Sequence, residues 1–346
     1  MAGRKKKRIN LALQGGGAHG AFTWGVLDRL LEEPELEIAG ISGTSAGALN
    51  GAALKAGLVR GGADAARENL DWLWSRMGAI NDPAFERWMD GVNPRRMAQA
   101  IRMSPAYMLG ETLVRLVSPY ATGPFYSNPL RPVVDGFDYD KVCSAALPAL
   151  FICATNVRTG KIRVFSEAEI TTDAILASAC LPSIFRAVEI ENAVSGEMDA
   201  YWDGGYTGNP ALYPLFQREL PQDIVVININ PLVRDAVPVT PQQIQDRVNE
   251  ISFNSSLLRE LRAIAFVQRL LDDGTMPEGR MRRLYLHMIG DDALMNMLGE
   301  ATKLVPSPPL LAQLKAAGRG AAEGFLRDHV DDIGKRSSVD LVEMFS

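Results

Sequence analysis

At 346 residues with 47% apolar side chains, the chain can fill a sizeable core, as one large α/β unit with appendages or as two domains. A net charge of −5 supplies no basic field for nucleic acid, so no nucleic-acid partner is expected. Three cysteines and three histidines, with no C-x-x-C pair, argue against a disulfide framework and a structural zinc site.

The one strong charge run, "GRKKKR" at residues 3–8, reads as a solvated end, with weak attraction to anionic headgroups as the sharper alternative. The "INLAL" that follows is cut off by Gln14 and the glycines before a secretion signal can form, so the terminus reads as mature and cytoplasmic. No stretch approaches the ~18 to 20 apolar residues a spanning helix needs. Residues 9–13 read as a buried strand. After a glycine-rich turn, Phe22, Val26, Leu27, Leu30 and Leu31 recur at helical spacing until Pro34. "LEIAGIS" is a second strand, which enters "GTSAG" and then the small-residue helix "ALNGAALKAG". Two strand-turn-helix units in succession predict a mostly parallel sheet with helices on both faces.

Residues 62–118 read as helical, with Trp72, Trp74 and Trp88 and a scatter of Met89, Met97, Met103 and Met108. Over 107–118, Leu109, Leu113, Leu116 and Val117 share one face and Glu111, Thr112 and Arg115 the other. Two readings stand, a helix packed on the core and a mobile flap over a lipid-binding cleft. "ALFICATNV" and "KIRVF" form a hairpin through "RTG", and "TTDAILASACLPSIF" a helix capped by Thr172 or Asp173 and stopped at Pro182. "AYWDGGYTGNP" is strand end and turn, and "DIVVINI" is the last clear buried strand. Beyond it the pattern is largely helical through residue 346, apart from a strand at "RRLYLHMI". The expected organisation is a catalytic domain over 9–230 and a helical extension over 231–346 packed on it. Cys143, Cys153 and Cys180 sit in apolar contexts and read as reduced thiols.

Gly15, Gly17 and Gly20 satisfy G-x-G-x-x-G after the first strand, the spacing of a dinucleotide-binding turn. Such a unit needs an acidic residue at the end of its second strand to hold the ribose. Here that strand ends in Ile41-Ser42, and Glu37 comes too early. Gly43-Thr44-Ser45-Ala46-Gly47 is G-x-S-x-G at a strand-to-helix junction, where a bent backbone exposes a hydroxyl at the positive end of a helix. A serine nucleophile needs a proton acceptor. His287 and His329 have no glycine-bounded turn to present them, and nothing marks His19 as the base. Asp203, in "YWDGG", ends an apolar stretch on a tight turn, although Asp-Gly-Gly is also an ordinary turn for backbone reasons.

Taken in order, Gly15 to Gly20, Gly43 to Gly47 and Asp203 to Gly205 resemble the three blocks of the patatin-like phospholipase family. "ATNVRTGKIRVFSE" and "ASACLPSIFRAVEI" are similar to the stretches before the third block, and the likeness spans about residues 9–230. It implies a three-layer α/β/α fold and a Ser-Asp dyad, with Ser45 as nucleophile, Asp203 as general base and an acyl-enzyme between two steps. It further implies an oxyanion hole from Gly15, Gly16, Gly17 and Ala18, supported by His19, Gly20, Gly43, Gly47, Gly204 and Gly205. The substrate would be a phospholipid or related acyl ester met transiently at a membrane surface by a cytoplasmic protein, without cofactor or metal. The family usually carries Arg or Lys where this chain has His19. A free aspartate at pKa ~3.9 is a poor base, so the dyad requires desolvation or strong stabilisation of the tetrahedral anion. The same dyad would serve an acyltransferase or thioesterase; a Ser45-Asp203-His287 triad and a lipid-binding scaffold with a vestigial site are the remaining alternatives.

Overall fold

Period-two alternation explains β1 (Lys7–Leu13), in which Ile9, Leu11 and Leu13 enter one core and Ala12 the opposite one, all fully buried. A strand apolar on both faces belongs inside a sheet covered on both sides. The computed structural model describes residues 6–80, 82, 85, 92–105, 107–110, 117–193, 195–234, 236–277 and 279–345. After β1 come α1 (Gly20–Leu30), β2 (Leu36–Gly43) and α2 (Ala46–Arg76), the last broken at Gly61 and Gly62. Then follow α3 (Pro94–Arg102), β3 (Ala149–Asn156), β4 (Ile162–Ser166), α4 (Thr172–Ser178), β5 (Val188–Glu191), β6 (Met198–Asp203) and β7 (Asp223–Asn228). The last third contributes α5 (Pro241–Asp272), β8 (Tyr285–Gly290), α6 (Glu300–Leu304) and α7 (Pro308–His329).

Among the described residues, eight strands form one sheet in the order β5-β6-β3-β2-β1-β7-β8, with β4 paired to β3. Strands β3-β2-β1-β7-β8 are parallel, and β4, β5 and β6 add antiparallel pairs. Residues of α1, α2, α4 and α7 fill the core on one face, and Leu257, Leu261 and Ile264 of α5 with Leu212, Leu215 and Leu220 fill the other. This is the expected three-layer α/β/α arrangement. The strand expected near 282–289 is β8, and it extends the sheet beside β7 in parallel register.

The chain's two ends meet in this fold. Helix α7 packs on α1 with backbones in contact: a Cβ at Gly25 would lie 2.0 Å from Lys315 O, and one at Gly318 2.1 Å from Phe22 O. Arg319 pairs with Asp28 and with Glu32 (3.0 Å), and Arg29 with Glu323 (2.5 Å).

Two expectations need correcting. Lys7 and Arg8 are strand residues rather than tail, with Lys7 Nζ 2.9 Å from Asp331 and Arg8 Nε 2.9 Å from Glu37. The cap of α4 is Thr171, which accepts the Ala174 N–H, and the helix ends at Ser178, before Pro182. Of the calls on the Met- and Trp-rich stretch, Trp88, Met89 and residues 111–116 lie outside the described residues, while Met103, Met108 and Leu109 are exposed. All three cysteines are free; Cys153 and Cys180 are buried and Cys143 half-buried. No helix among the described residues is long and apolar enough to cross a membrane.

Candidate active site

Strand order reverses around β1, whose neighbours β2 and β7 lead away in opposite directions. Ligands of open parallel sheets bind at such switch points, beyond the carboxyl ends of the strands. Both glycine motifs lie there. The Gly15–Gly20 loop leaves β1, and Ser45 leaves β2.

Ser45 caps α2 with φ 54° and ψ −120°, one of two non-glycine residues with positive φ among the described residues. A serine held there costs ~1–3 kcal/mol, which only a surrounding structure that over-determines the turn can sustain. The turn is pinned on every side. Ser45 N–H donates to Ser178 Oγ (2.9 Å), Thr44 Oγ1 to Gly208 O (2.6 Å) and Ser42 Oγ to Ala211 O (2.6 Å). A Cβ on Gly47 would lie 2.1 Å from Leu13 O, and one on Gly43 2.5 Å from Gly47 O, so the elbow closes only without side chains at both positions. Ser45 remains 7% exposed.

Asp203 ends β6 opposite Ala154 of β3, and is fully buried. Its N–H donates to Cys180 O (2.8 Å), its carbonyl accepts from Thr155 Oγ1 (2.8 Å), and its Oδ1 accepts from Gly205 N–H (2.8 Å). Oδ2 is buried without a partner of hydrogen-bond geometry. Burial pushes the Asp203 carboxyl up to about 7, with the Gly205 N–H and the Ser45 hydroxyl pulling the other way. Gly204, directly after Asp203, backs onto Thr44, directly before Ser45, where a Cβ would lie 3.0 Å from Thr44 Cγ2, so the two turns adjoin. The desolvation required of an aspartate base is therefore present. Gly204 and Gly205 are both buried, with no room for a Cβ against Cys153 O and the Phe253 ring.

The glycine loop backs onto Ser45, since a Cβ on Gly15 would lie 2.7 Å from Ser45 Cβ, and one on Gly20 2.7 Å from Ala46 Cβ. Gly15 N–H donates to Asn209 Oδ1 at 2.6 Å. Its N–H is thus spent on Asn209, and its place in the loop is close packing. Gly17 takes φ 56° at the first position of a short 3-10 turn ending at His19.

His19 is 2% exposed, with Nε2 2.7 Å from Thr302 Oγ1. Thr302 spends its own proton on Gly299 O (2.6 Å), so His19 is the donor and Nδ1 the bare nitrogen. Burial holds His19 well below the usual histidine range, with the nearby Lys303 and Arg234 adding to the shift. The Ile229 backbone opposes it without making a hydrogen bond of normal geometry to Nδ1. His19 is therefore neutral and carries no charge in place of a cation.

His287 lies apart from Ser45 and Asp203. Both ring nitrogens are committed, Nε2 to Asp223 Oδ1 and Nδ1 to Ser338 Oγ, each at 3.1 Å. The Ser45-Asp203-His287 triad is thereby corrected: β8 carries this histidine beside β7, where it ties residue 338 to the sheet. His287→Ala is expected to leave kcat unchanged and to cost ~1–3 kcal/mol of stability by stripping buried Asp223 of a partner. Paired rate and melting measurements check this. His329 bonds Asp332 (3.1 Å) near the surface.

Sequence reasoning missed the polar hub beneath the loop. Gln14 Oε1 accepts from Ile229 N, Asn230 N and Asn230 Nδ2, and its Nε2 reaches Asn209 O and Asn254 Oδ1. Every one of these polar side chains is buried. The signal available was only an unexplained Gln before the glycines and Asn209 in "GNP". A cavity of about 440 Å³, lined by Arg95, Arg102, Arg234, Asp246 and Thr302 among others, lies beside α6 and is not bounded by Ser45 or Asp203.

A family model described as patatin-like phospholipase matches residues 11–216, the stretch that contains Ser45, Asp203 and the glycine loop. No sequence among curated proteins matches. Among solved structures, VipD from Legionella pneumophila is similar at 14% identity and TM-score 0.43, over 94% of this chain and 67% of that one. ExoU, solved with SpcU from the type III secretion system of Pseudomonas aeruginosa, is similar at 19% identity and TM-score 0.28 over 73% of this chain. The match spans 51%, about half, of that second chain.

Proposed function

The chain belongs to the patatin-like phospholipase family, and from that premise we propose that it is a lipid acyl hydrolase working through a Ser45–Asp203 dyad. Ser45 Oγ attacks the acyl carbonyl carbon while its proton passes to Asp203 Oδ2. The carbonyl oxygen becomes an oxyanion met by the N–H groups of Gly16, Gly17 and Ala18, each such donor being worth ~2.7 to 4 kcal/mol in the transition state. Collapse expels the alcohol, which takes the proton from Asp203, and a water activated by the same carboxylate releases the fatty acid.

One observation carries this reading: a serine held at positive φ on a strand-to-helix turn adjoins a buried carboxyl whose free oxygen is poised near neutrality. The substrates we infer are acyl esters of phospholipids or related lipids, met at a lipid surface. The exposed Met103, Met108, Leu109, Val237 and Val239 support such contact.

Asp203 acts as a base only when ionised, so with its pKa raised to about 7 the rate should climb with pH and level off above neutrality. A pH profile of kcat for a short-chain fluorogenic acyl ester reads this; a midpoint near pH 4 would remove Asp203 from the role. Treatment with a fluorophosphonate, followed by peptide mass spectrometry, should place the adduct on Ser45. An unlabelled Ser45 would overturn the proposal.

A further inference from the structure

Resting on that reading of Ser45 and its loop, we propose that α6, outside the family-matched residues, positions the oxyanion-binding loop, with Thr302 and Lys303 as its positioning residues. Three contacts hold the loop at its first, third and fifth residues. At the far end, Thr302 Oγ1 accepts the His19 Nε2–H at 2.7 Å and is itself fixed on Gly299 O. In the middle, Gly17 backs onto α6 so closely that a Cβ would lie 2.3 Å from Lys303 O. At the near end the contact runs through a relay. Lys303 Nζ donates to Asn230 Oδ1 (2.9 Å), and Asn230 Nδ2 donates to Gly15 O (2.8 Å).

The relay has a chemical consequence. The carbonyl of Gly15 shares its peptide group with the N–H of Gly16, one of the donors assigned to the oxyanion. A cation on the Asn230 oxygen strengthens the bond its amide gives to Gly15 O, and that bond in turn polarises the Gly16 N–H, because hydrogen bonds in a chain reinforce one another where water is scarce. Lys303 has a side chain only 10% exposed and is paired with Glu300 at 2.5 Å, and the relay residue Asn230 is fully buried. Positive charge thus reaches the loop along its backbone, while the residue inside the loop, His19, stays neutral.

Lys303→Met is expected to lower kcat by about 10-fold, less than the loss of a whole oxyanion donor, with KM unchanged; Lys303→Arg should restore part of the loss. Thr302→Val, which removes both hydroxyl bonds at near-constant volume, should lower kcat similarly, and Thr302→Ser should recover it. Fluorophosphonate labelling of Ser45 should slow in parallel, while the pH midpoint near neutrality stays. Wild-type kcat in correctly melting Lys303→Met and Thr302→Val would overturn the proposal. Amide exchange of residues 15–20 in the full chain gives a readout independent of turnover. Faster exchange confined to that loop in Thr302→Val supports the clamp, and unchanged exchange refutes it. If the wild-type chain shows no Ser45-dependent hydrolysis, the reading of the site fails, and the exchange result still decides the role of α6.

Discussion

Ser45→Ala is expected to lower kcat for acyl-ester hydrolysis by on the order of 10⁴- to 10⁶-fold, the scale on which removal of an activated serine acts in other hydrolases. The fold should survive, because the turn is fixed by groups that alanine retains. The Ser45 N–H still reaches Ser178, and the glycines at 43 and 47 still close the elbow. Alanine also inherits the positive φ of 54° with its strain, so the melting temperature should barely move. Ser45→Gly should be equally inactive yet more stable by ~1 kcal/mol or more, since glycine accepts that conformation freely. Equal hydrolysis by wild type and Ser45→Ala would assign the nucleophile elsewhere.

Asp203→Asn should separate activity from stability. An amide cannot take the Ser45 proton, and kcat should fall by on the order of 10³- to 10⁴-fold. Stability should change in the opposite sense. The folded-state pKa is raised from 3.8 to about 7, so the folded chain holds a proton that the unfolded chain releases over that window. Stability from this group is therefore fullest below pH 4, falls as pH rises, and is at its lowest above pH 7. A shift of that size (3.8 to about 7) is worth ~4 kcal/mol. Burying an amide where Oδ2 has no partner costs ~2 kcal/mol at either pH, leaving a gain of ~2 kcal/mol at pH 8 and a loss of about 1–2 kcal/mol near pH 4, where the wild-type carboxyl is already neutral in the fold. Urea titrations of both proteins at the two pH values test this, and a variant less stable than wild type at pH 8 would refute the buried, neutral-leaning carboxyl.

Local spacing was enough to single out Ser45, the glycine loop and Asp203, because each is set by a turn only a few residues long. Parallel pairing of the first strands was legible for the same reason, two strand-turn-helix units in succession. What escaped depends on contacts across the chain. Thr302 meets His19 across 283 positions, and Asn230 meets Gly15 across 215; neither leaves a periodic or compositional trace. The misplaced cap of α4 is a finer case. Thr171, Thr172 and Asp173 all have capping side chains, and only the extended backbone of Thr171 selects it. His19 looked like a lost charge because its neighbours Lys303 and Arg234, which oppose its protonation, lie more than two hundred residues away in sequence.

The direct backbone contact between α1 and α7 bears on how the protein is born. Every residue assigned to the chemistry has been synthesised by position 203, yet the face of α1 that presents Gly25 stays bare until Lys315 and Gly318 arrive. The outer edge of β7 likewise waits for β8. A nascent chain carrying both Ser45 and Asp203 is thus still missing part of its core and one sheet neighbour, a state that invites chaperone binding. Ser45 and Asp203 can therefore sit in the finished fold only once the residues of β8 and α7 have left the ribosome.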